Sequence, residues 1–197
     1  MPTRLPAARR RRQLLEVALK VFAEQGFYVT SMSDIAEAAG VTKPVLYQHF
    51  TSKRELYGQL LTEVGNQIQD AITKAVATAQ SPREQVEQGF AAYFQFVDSH
   101  RDAFQLFYAS GSWRDAEFSA ITHEVENTLA EQVAGLIEIE GLSAEGRRLL
   151  GHGIVGMIEG ASTHWLSSNA KTDPAELTRQ LADLAWRGLR GVRPETH

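Results

Sequence analysis

The sequence predicts an all-α protein of about nine helices, and three observations carry that expectation. Apolar residues recur three and four positions apart along most of the chain, the spacing that lines one face of a helix. Start signals of one grammar recur at Ser31, Ser52, Ser81, Ser143 and Asp173, each a capping residue with an acid or a proline close behind. No segment alternates apolar and polar residues in the manner of a strand, and no internal repeat or low-complexity tract interrupts the pattern.

Taken in order, residues 1–8 are expected to be disordered. Arg9 to Arg12 lead into a first helix with Leu14, Leu15, Ala18, Val21 and Phe22 on one face, and Gly26 closes it. Phe27 and Val29 are expected to pack beneath the next two helices. Ser31 caps a second helix and forms a capping box with Asp34. Ile35, Ala36 and Ala39 are small enough on one face for another helix to approach. Gly40 ends the helix in the left-handed conformation that a Cβ would penalise. Thr42 is the next cap, and Pro44 falls in the first turn of a third helix, where a missing N–H costs nothing. Two short helices around a glycine turn make a helix-turn-helix, whose second helix enters the DNA major groove with its N-terminal residues toward the bases.

Ser52 and Glu55 open a fourth helix with apolar positions at Leu56, Leu60, Leu61, Val64, Ile68, Ile72 and Val76, about seven turns. Ser81-Pro82-Arg83-Glu84 opens a fifth, carrying Val86, Phe90, Tyr93, Phe94 and Val97. After a break at Ser99-His100 comes a short helix with Phe104, Leu106, Phe107 and Tyr108, then a loop at Ser110-Gly111-Ser112. A seventh helix is expected from about Trp113 to Glu140, stopped by Gly141. The eighth runs from Ser143 to about Ser168, and the ninth from Asp173 to Gly191.

Composition narrows the function. A hydrophobic content of 43% and a charged content of 22% are those of a soluble globular protein. No apolar run approaches a membrane span, and M-P-T-R-L-P lacks a signal-peptide core, so a cytoplasmic address with no membrane partner is expected. With no cysteine, disulfides and thiolate zinc sites are excluded, and the six histidines show no ligand spacing. Neither metal nor cofactor is expected. The net charge of −4 is unevenly spread: residues 1–55 carry nine Lys/Arg against five Asp/Glu, and residues 56–197 eleven against nineteen. The positive balance lies on the segment holding the helix-turn-helix, as phosphate binding requires.

The residue types of this segment suggest its DNA contacts. Thr42 is placed to cap the third helix and meet a phosphate, Lys43 to reach guanine acceptors or phosphate, and Val45 to touch a thymine methyl. Pro44 shares that first turn. Arg11 and Arg12 belong to an arginine run suited to phosphates or a minor groove. Ser31, Ser33 and Gln48 complete the set, while Leu46 and Phe50 are expected to face the core.

The phrase A-x-x-A-G-V-T-K-P-x-L-Y-x-H-F-x-S-K, Ala36 to Lys53, closely resembles the signature of the TetR/AcrR family of transcriptional regulators. The resemblance implies that Tyr47, His49 and Lys53 clamp the DNA backbone. Ser33 departs from it, since many relatives carry an arginine there to contact a base. Organisation is expected as a DNA-binding domain over 1–55 and a ligand-binding and dimerisation domain over 56–197. One reading head covers few base pairs, so a homodimer on a palindromic operator is expected. Its interface is placed on the last two helices, at Ile154, Met157, Ile158, Ala161, Leu177, Leu181 and Leu184.

The family further implies a small apolar effector whose binding releases DNA, with repression the usual sign. Phe90–Phe118 holds nine of the seventeen aromatic residues, dense enough to line a cavity as well as a core. Candidate lining residues are Phe94, Phe104, Phe107, Tyr108, Trp113, Phe118, Met157 and Trp165. Lys43–Tyr57 and Gly156–Leu166 also look similar to the actinobacterial branch that regulates fatty-acid metabolism, which implies a long-chain acyl-CoA effector in an apolar tunnel. A constitutive DNA-binding protein without a ligand is the first alternative and a small all-α enzyme the second. Against an enzyme, Gly151-His152-Gly153-Ile154-Val155-Gly156 matches a dinucleotide fingerprint but follows no strand, and His100-Arg101-Asp102 lacks the companions of a kinase loop. Small residues at 153, 156 and 160 better fit a close helix–helix approach.

Overall fold

The computed structural model describes residues 6–108, 115–168 and 172–193. Among them every regular element is an α-helix, as the sequence leads one to expect. The order is α1 (Ala7–Gln25), α2 (Met32–Ala38), α3 (Lys43–Tyr47), α4 (Lys53–Val76), α5 (Pro82–Ser99), α6 (Arg101–Tyr108), α7 (Ala116–Leu136), α8 (Ala144–Ser167) and α9 (Pro174–Gly191). They gather into two compact units: Met1–Val64 with His100–Thr122, and Gly65–Ser99 with His123–His197. The divisions fall inside α4, between α5 and α6, and inside α7.

The helix starts follow their local grammar. The Ser31 hydroxyl accepts from the Ser33 and Asp34 amides at 3.2 and 3.3 Å, and the Asp34 carboxylate accepts the Ser31 amide at 2.8 Å. This is a complete capping box. At the far end of α2 the Val41 amide reaches back to the Ala36 carbonyl and the Gly40 amide to that of Glu37, the paired bonds of a Schellman turn, with Gly40 at φ 62°. The box at Ser52 differs from expectation. Ser52 accepts the Glu55 amide at 3.0 Å, but the Glu55 carboxylate reaches past it to the Thr51 amide at 2.6 Å. The same shifted box recurs at Ser81, where Glu84 takes the Gln80 amide. Ser143 and Asp173 cap α8 and α9 as expected.

Three local expectations are corrected. Ala7 and Ala8 already belong to α1, because alanine and arginine are strong helix formers and the Pro6 carbonyl takes the Arg10 amide at 3.0 Å. Val29 is 74% exposed. The turn from Gly26 folds so that Thr30 donates its hydroxyl to the Gly26 carbonyl and goes inside, which leaves its neighbour outside. α7 starts at Ala116 and ends at Leu136, short of Glu140, where Gly135 and the β-branched Ile137 and Ile139 weaken the helix. Gly141, at φ 78°, shapes the connecting turn. The expected loop at 110–112 lies outside the described residues.

In the first unit, α1 packs against α2 and α6 around Leu14, Phe22, Ile35, Leu46, Phe50, Tyr57 and Leu61. Phe22, Phe27, Tyr57 and Phe118 form an aromatic cluster with ring centroids 4.7–5.0 Å apart at their closest pairs. The buried Tyr57 hydroxyl donates to the Leu106 carbonyl at 3.0 Å. Truncating any of these rings to alanine costs about 3–5 kcal/mol. In the second unit α5 lies along α9 and touches α8. Phe94 meets Trp165 edge to face at 6.4 Å, and the Trp165 indole donates to the Thr172 carbonyl. α8 comes up against the α7 backbone at Gly151, where a Cβ would stand 2.3 Å from the Ala130 carbonyl oxygen.

Candidate functional site

α3 is five residues long and follows the Gly40 turn directly. Leu46 and Phe50 are fully buried and hold it against the first unit. The opposite side, Thr42, Lys43, Pro44, Tyr47 and Gln48, is exposed, with Val45 and His49 half-buried at its edges. Tyr47 is 50% exposed. Thr42 takes the cap position with extended backbone, yet its hydroxyl makes no cap bond. Pro44 removes the N–H that a cap hydroxyl would meet first, and the Val45 amide already bonds the Thr42 carbonyl at 3.0 Å. The Thr42 side chain therefore caps nothing, a correction to the sequence expectation, and the residue is exposed. Ser31 is exposed but its oxygen is committed to the α2 cap, and Ser33 is half-buried.

The cations of this unit divide into exposed and engaged. Lys43 and Arg12 are exposed. Arg11 lies 5.1 Å from the Phe50 ring centroid and its guanidinium donates to the Gln59 side chain, so it is tied to the core. Lys53 donates to two carbonyls, Phe27 and Thr30, each at 2.7 Å, and sits 4.4 Å from the centre of the Phe27 ring. Burial pushes its pKa down, and the Asp34 carboxylate opposes that shift. Asp34 itself is held below the ordinary range, first by the Ser31 amide and hydroxyl, with Lys43 and Lys53 adding charge attraction. Arg54 is engaged by Asp115 and Glu117.

The second unit holds an apolar cavity of about 370 Å³. Ile72 and Val76 of α4, Val86, Gly89 and Phe90 of α5, Val133, Leu136, Ile137 and Ile139 at the end of α7, Ile154 and Ile158 of α8, and Trp186 and Leu189 of α9 line it. Glu138 and Arg190 supply its charge and Gln85 an amide, and the Arg190 guanidinium lies 5.8 Å from the centre of the Trp186 ring. The next position on the α8 stripe is Ser162, fully buried, with a hydroxyl that has no partner among the described residues. A larger groove between α5 and α9, about 850 Å³, is lined by charges of both signs, among them the Arg83–Glu87 pair at 2.8 Å.

Of the eight aromatic and methionine candidates, the six whose side chains are described do not line the apolar cavity. Phe104, Phe107 and Phe118 are buried in the first unit, Phe94 and Trp165 pack on each other, and Met157 is half-buried. Trp113 and the Tyr108 side chain lie outside the described residues. Two residues assigned to subunit contact, Ile154 and Ile158, are among those lining the cavity. Met157, Ala161, Leu177 and Leu181 are half-buried, and Leu184 is 59% exposed. Leu149 is 71% exposed, and among the described residues nothing lies within 4 Å of a Cβ built on Gly153, Gly156 or Gly160. Among the described residues no group of His, Cys, Asp or Glu is placed to hold a metal ion, and no helix is long and apolar enough to cross a membrane.

Comparison with known proteins bears on both units. Residues 14–60 match the model of bacterial regulatory proteins of the tetR family, and residues 82–188 match that of a tetracyclin repressor-like C-terminal domain. The HTH-type transcriptional activator FasR of Mycolicibacterium smegmatis is 30% identical over 190 residues, 96% of this chain and 87% of FasR. A TetR-like transcriptional regulator from Rhodococcus sp. RHA1 superimposes with a TM-score of 0.78 at 30% identity, covering 96% of this chain and 100% of that one. FadR of Bacillus subtilis, solved in complex with stearoyl-CoA, shares the fold with a TM-score of 0.80 at 20% identity, over 92% of this chain and 99% of FadR.

Proposed function

The chain belongs to the TetR family of DNA-binding transcriptional regulators, not enzymes, and from that premise we propose that it binds a palindromic operator as a homodimer and releases it when a small, largely apolar effector enters the second unit. Residues 1–55 then read DNA, and 56–197 hold the effector and the partner subunit. A bacterial operator puts this work in the cytoplasm. The observation that carries the effector is the cavity of about 370 Å³, walled by aliphatic and aromatic side chains with one Arg and one Glu. An apolar hollow with few polar groups is the usual form of a small-molecule site. It speaks against the constitutive alternative, which needs no such hollow.

A long acyl chain is the ligand chemistry this lining suits best, and stearoyl-CoA, bound by FadR, is the first probe. Release works as a population shift: the effector lowers DNA affinity only by its preference for the conformation whose reading heads are wrongly spaced. FasR carries the word activator in its name, so repression does not follow from kinship. What the effector changes is DNA occupancy, whichever sign results.

The test is DNA binding by the purified protein, using duplexes it selects from a random pool, with and without stearoyl-CoA, stearate and a short polar control. Saturable release by the acyl probes alone supports the proposal. Indifference to every apolar probe would remove the effector, and failure to select any duplex would remove the operator.

A further inference from the structure

Lys53 is the cation that the family signature marks for the DNA backbone, and its surroundings argue otherwise. It opens α4, and its ammonium turns inward to the α1–α2 connection. Two of its three N–H groups go to the Phe27 and Thr30 carbonyls at 2.7 Å each, and the charge rests over the Phe27 ring. Phe27 is buried in the aromatic cluster and Thr30 is 1% exposed, so neither carbonyl has easy access to water. Swinging Lys53 out to a phosphate would strip both of their donor, at a cost comparable to what a phosphate contact returns.

Resting on the DNA-binding reading, we infer that Lys53 is a positioning residue: it pins the turn from Phe27 to Thr30 onto the start of α4 and so sets where α2 and α3 meet the groove, without neutralising a phosphate. The geometry explains why this corner needs a tie. Ser31, the cap of α2, comes directly after Thr30, so the Lys53 bonds fix the point from which α2 departs. α3 succeeds α2 through the Gly40 turn. A tilt at Thr30 is therefore passed to every base-facing side chain of α3, while phosphate contacts with long, flexible reach tolerate it better.

The two roles separate in measurement. For Lys53→Met, wild-type and variant affinities are compared over a salt series on a duplex that the wild type selects from a random pool and on a random-sequence duplex of equal length. Positioning predicts a several-fold loss concentrated on the selected duplex, an unchanged salt slope on both, and recovery in Lys53→Arg, whose guanidinium can span both carbonyls. A phosphate clamp predicts equal loss on both duplexes and a slope smaller by about 0.9. That result would overturn the inference.

Should Lys53→Met fail to fold, lysine acylation of the wild type read by mass spectrometry decides the matter. Lys53 is expected to resist the reagent with or without the selected duplex, and Lys43 to be protected only by the duplex. Free reaction at Lys53 that DNA suppresses would defeat the assignment. If the wild type binds no duplex at all, the DNA-binding reading itself fails, a different outcome from either.

Discussion

Arg54 and Asp115, 61 positions apart in sequence, meet through two parallel hydrogen bonds, Nη1 to Oδ1 at 2.9 Å and Nη2 to Oδ2 at 2.8 Å. The paired geometry is the strong form of an Arg–carboxylate contact. Glu117 adds a third bond at 2.9 Å, and the guanidinium carbon lies 5.0 Å from the Phe118 ring centroid. Asp115 Oδ1 also accepts the Glu117 amide at 3.1 Å, so one carboxylate caps α7 and holds the first turn of α4. The bond to Arg54 is the largest influence on the acid and holds it below the ordinary aspartate range.

That shift implies a pH dependence. A carboxylate whose folded pKa is depressed contributes stability above its unfolded pKa and loses it as pH falls through the folded value. Replacing Asp115 by Asn keeps a cap acceptor and removes the charge. Urea midpoints of wild type and Asp115→Asn are expected to differ near neutrality and to converge as the pH drops below the usual carboxylate range. The gap is expected to be modest, because Arg54 is 46% exposed. A gap that stayed constant into acid, or its absence at neutral pH, would show that the pair contributes nothing through its charge.

At the reading head, hydroxyl and base contacts are expected to separate. Tyr47 is half-exposed beside the buried Leu46, so removing its hydroxyl in Tyr47→Phe changes no packing. Binding to every duplex is expected to weaken alike, by ~1.5–3 kcal/mol for a charged hydrogen bond. Lys43→Gln and Val45→Ala are expected instead to shift preference among duplexes, with ~1–3 kcal/mol per base contact. Competition binding against a mixed pool reads both effects. Uniform losses for all three variants would take base reading away from α3.

What could be read from the chain beforehand depended on distance along it. The α2 box, the Gly40 turn and the caps at Ser143 and Asp173 involve residues two to five positions apart, and their chemistry is visible locally. Thr42 escaped because its cap bond depends on a donor that Pro44 deletes. Arg54 with Asp115, Tyr57 with Leu106 and Lys53 with Phe27 join distant segments, and no spacing rule announces them. The cavity was missed for a related reason. A stripe of Val, Ile and Leu reads the same whether it faces a packed core or a hollow, while aromatic density drew attention to Phe104, Phe107 and Phe118, which fill the first unit.

The cavity offers its own variant. A Cβ on Gly89 would meet Val76 Cγ2 at 3.5 Å, an ordinary contact, so a larger side chain there has room only by entering the hollow. Gly89→Leu is expected to weaken stearoyl-CoA binding by roughly fourfold in Kd for each methylene excluded. Binding to the selected duplex without effector is expected to persist. Calorimetric titration gives the first quantity and a gel-shift series the second. An unchanged acyl affinity would move the effector elsewhere in the second unit.

The glycines of α8 separate packing within one chain from packing between two. At Gly151 an added methyl would meet the backbone of α7, its oxygen at 2.3 Å and the Ala134 amide nitrogen at 3.3 Å, which no rotamer change relieves. Gly151→Ala is expected to destabilise the chain by about 1–3 kcal/mol. A methyl on Gly156 meets nothing within 4 Å among the described residues, so in a lone chain Gly156→Ala should stabilise α8 by the ~0.5–1 kcal/mol that glycine costs a helix interior. In a two-fold dimer the same patch is used by both subunits. If α8 approaches its partner there, the added methyl enters the contact twice and dissociation becomes easier, although each chain is more stable. Denaturation at high dilution and sedimentation equilibrium measure the two effects separately. Tighter folding with weaker dimerisation in Gly156→Ala is the expected pair. An unaltered dimer in Gly153→Ala, Gly156→Ala and Gly160→Ala alike would show that this face of α8 looks into solvent and that the subunits meet elsewhere.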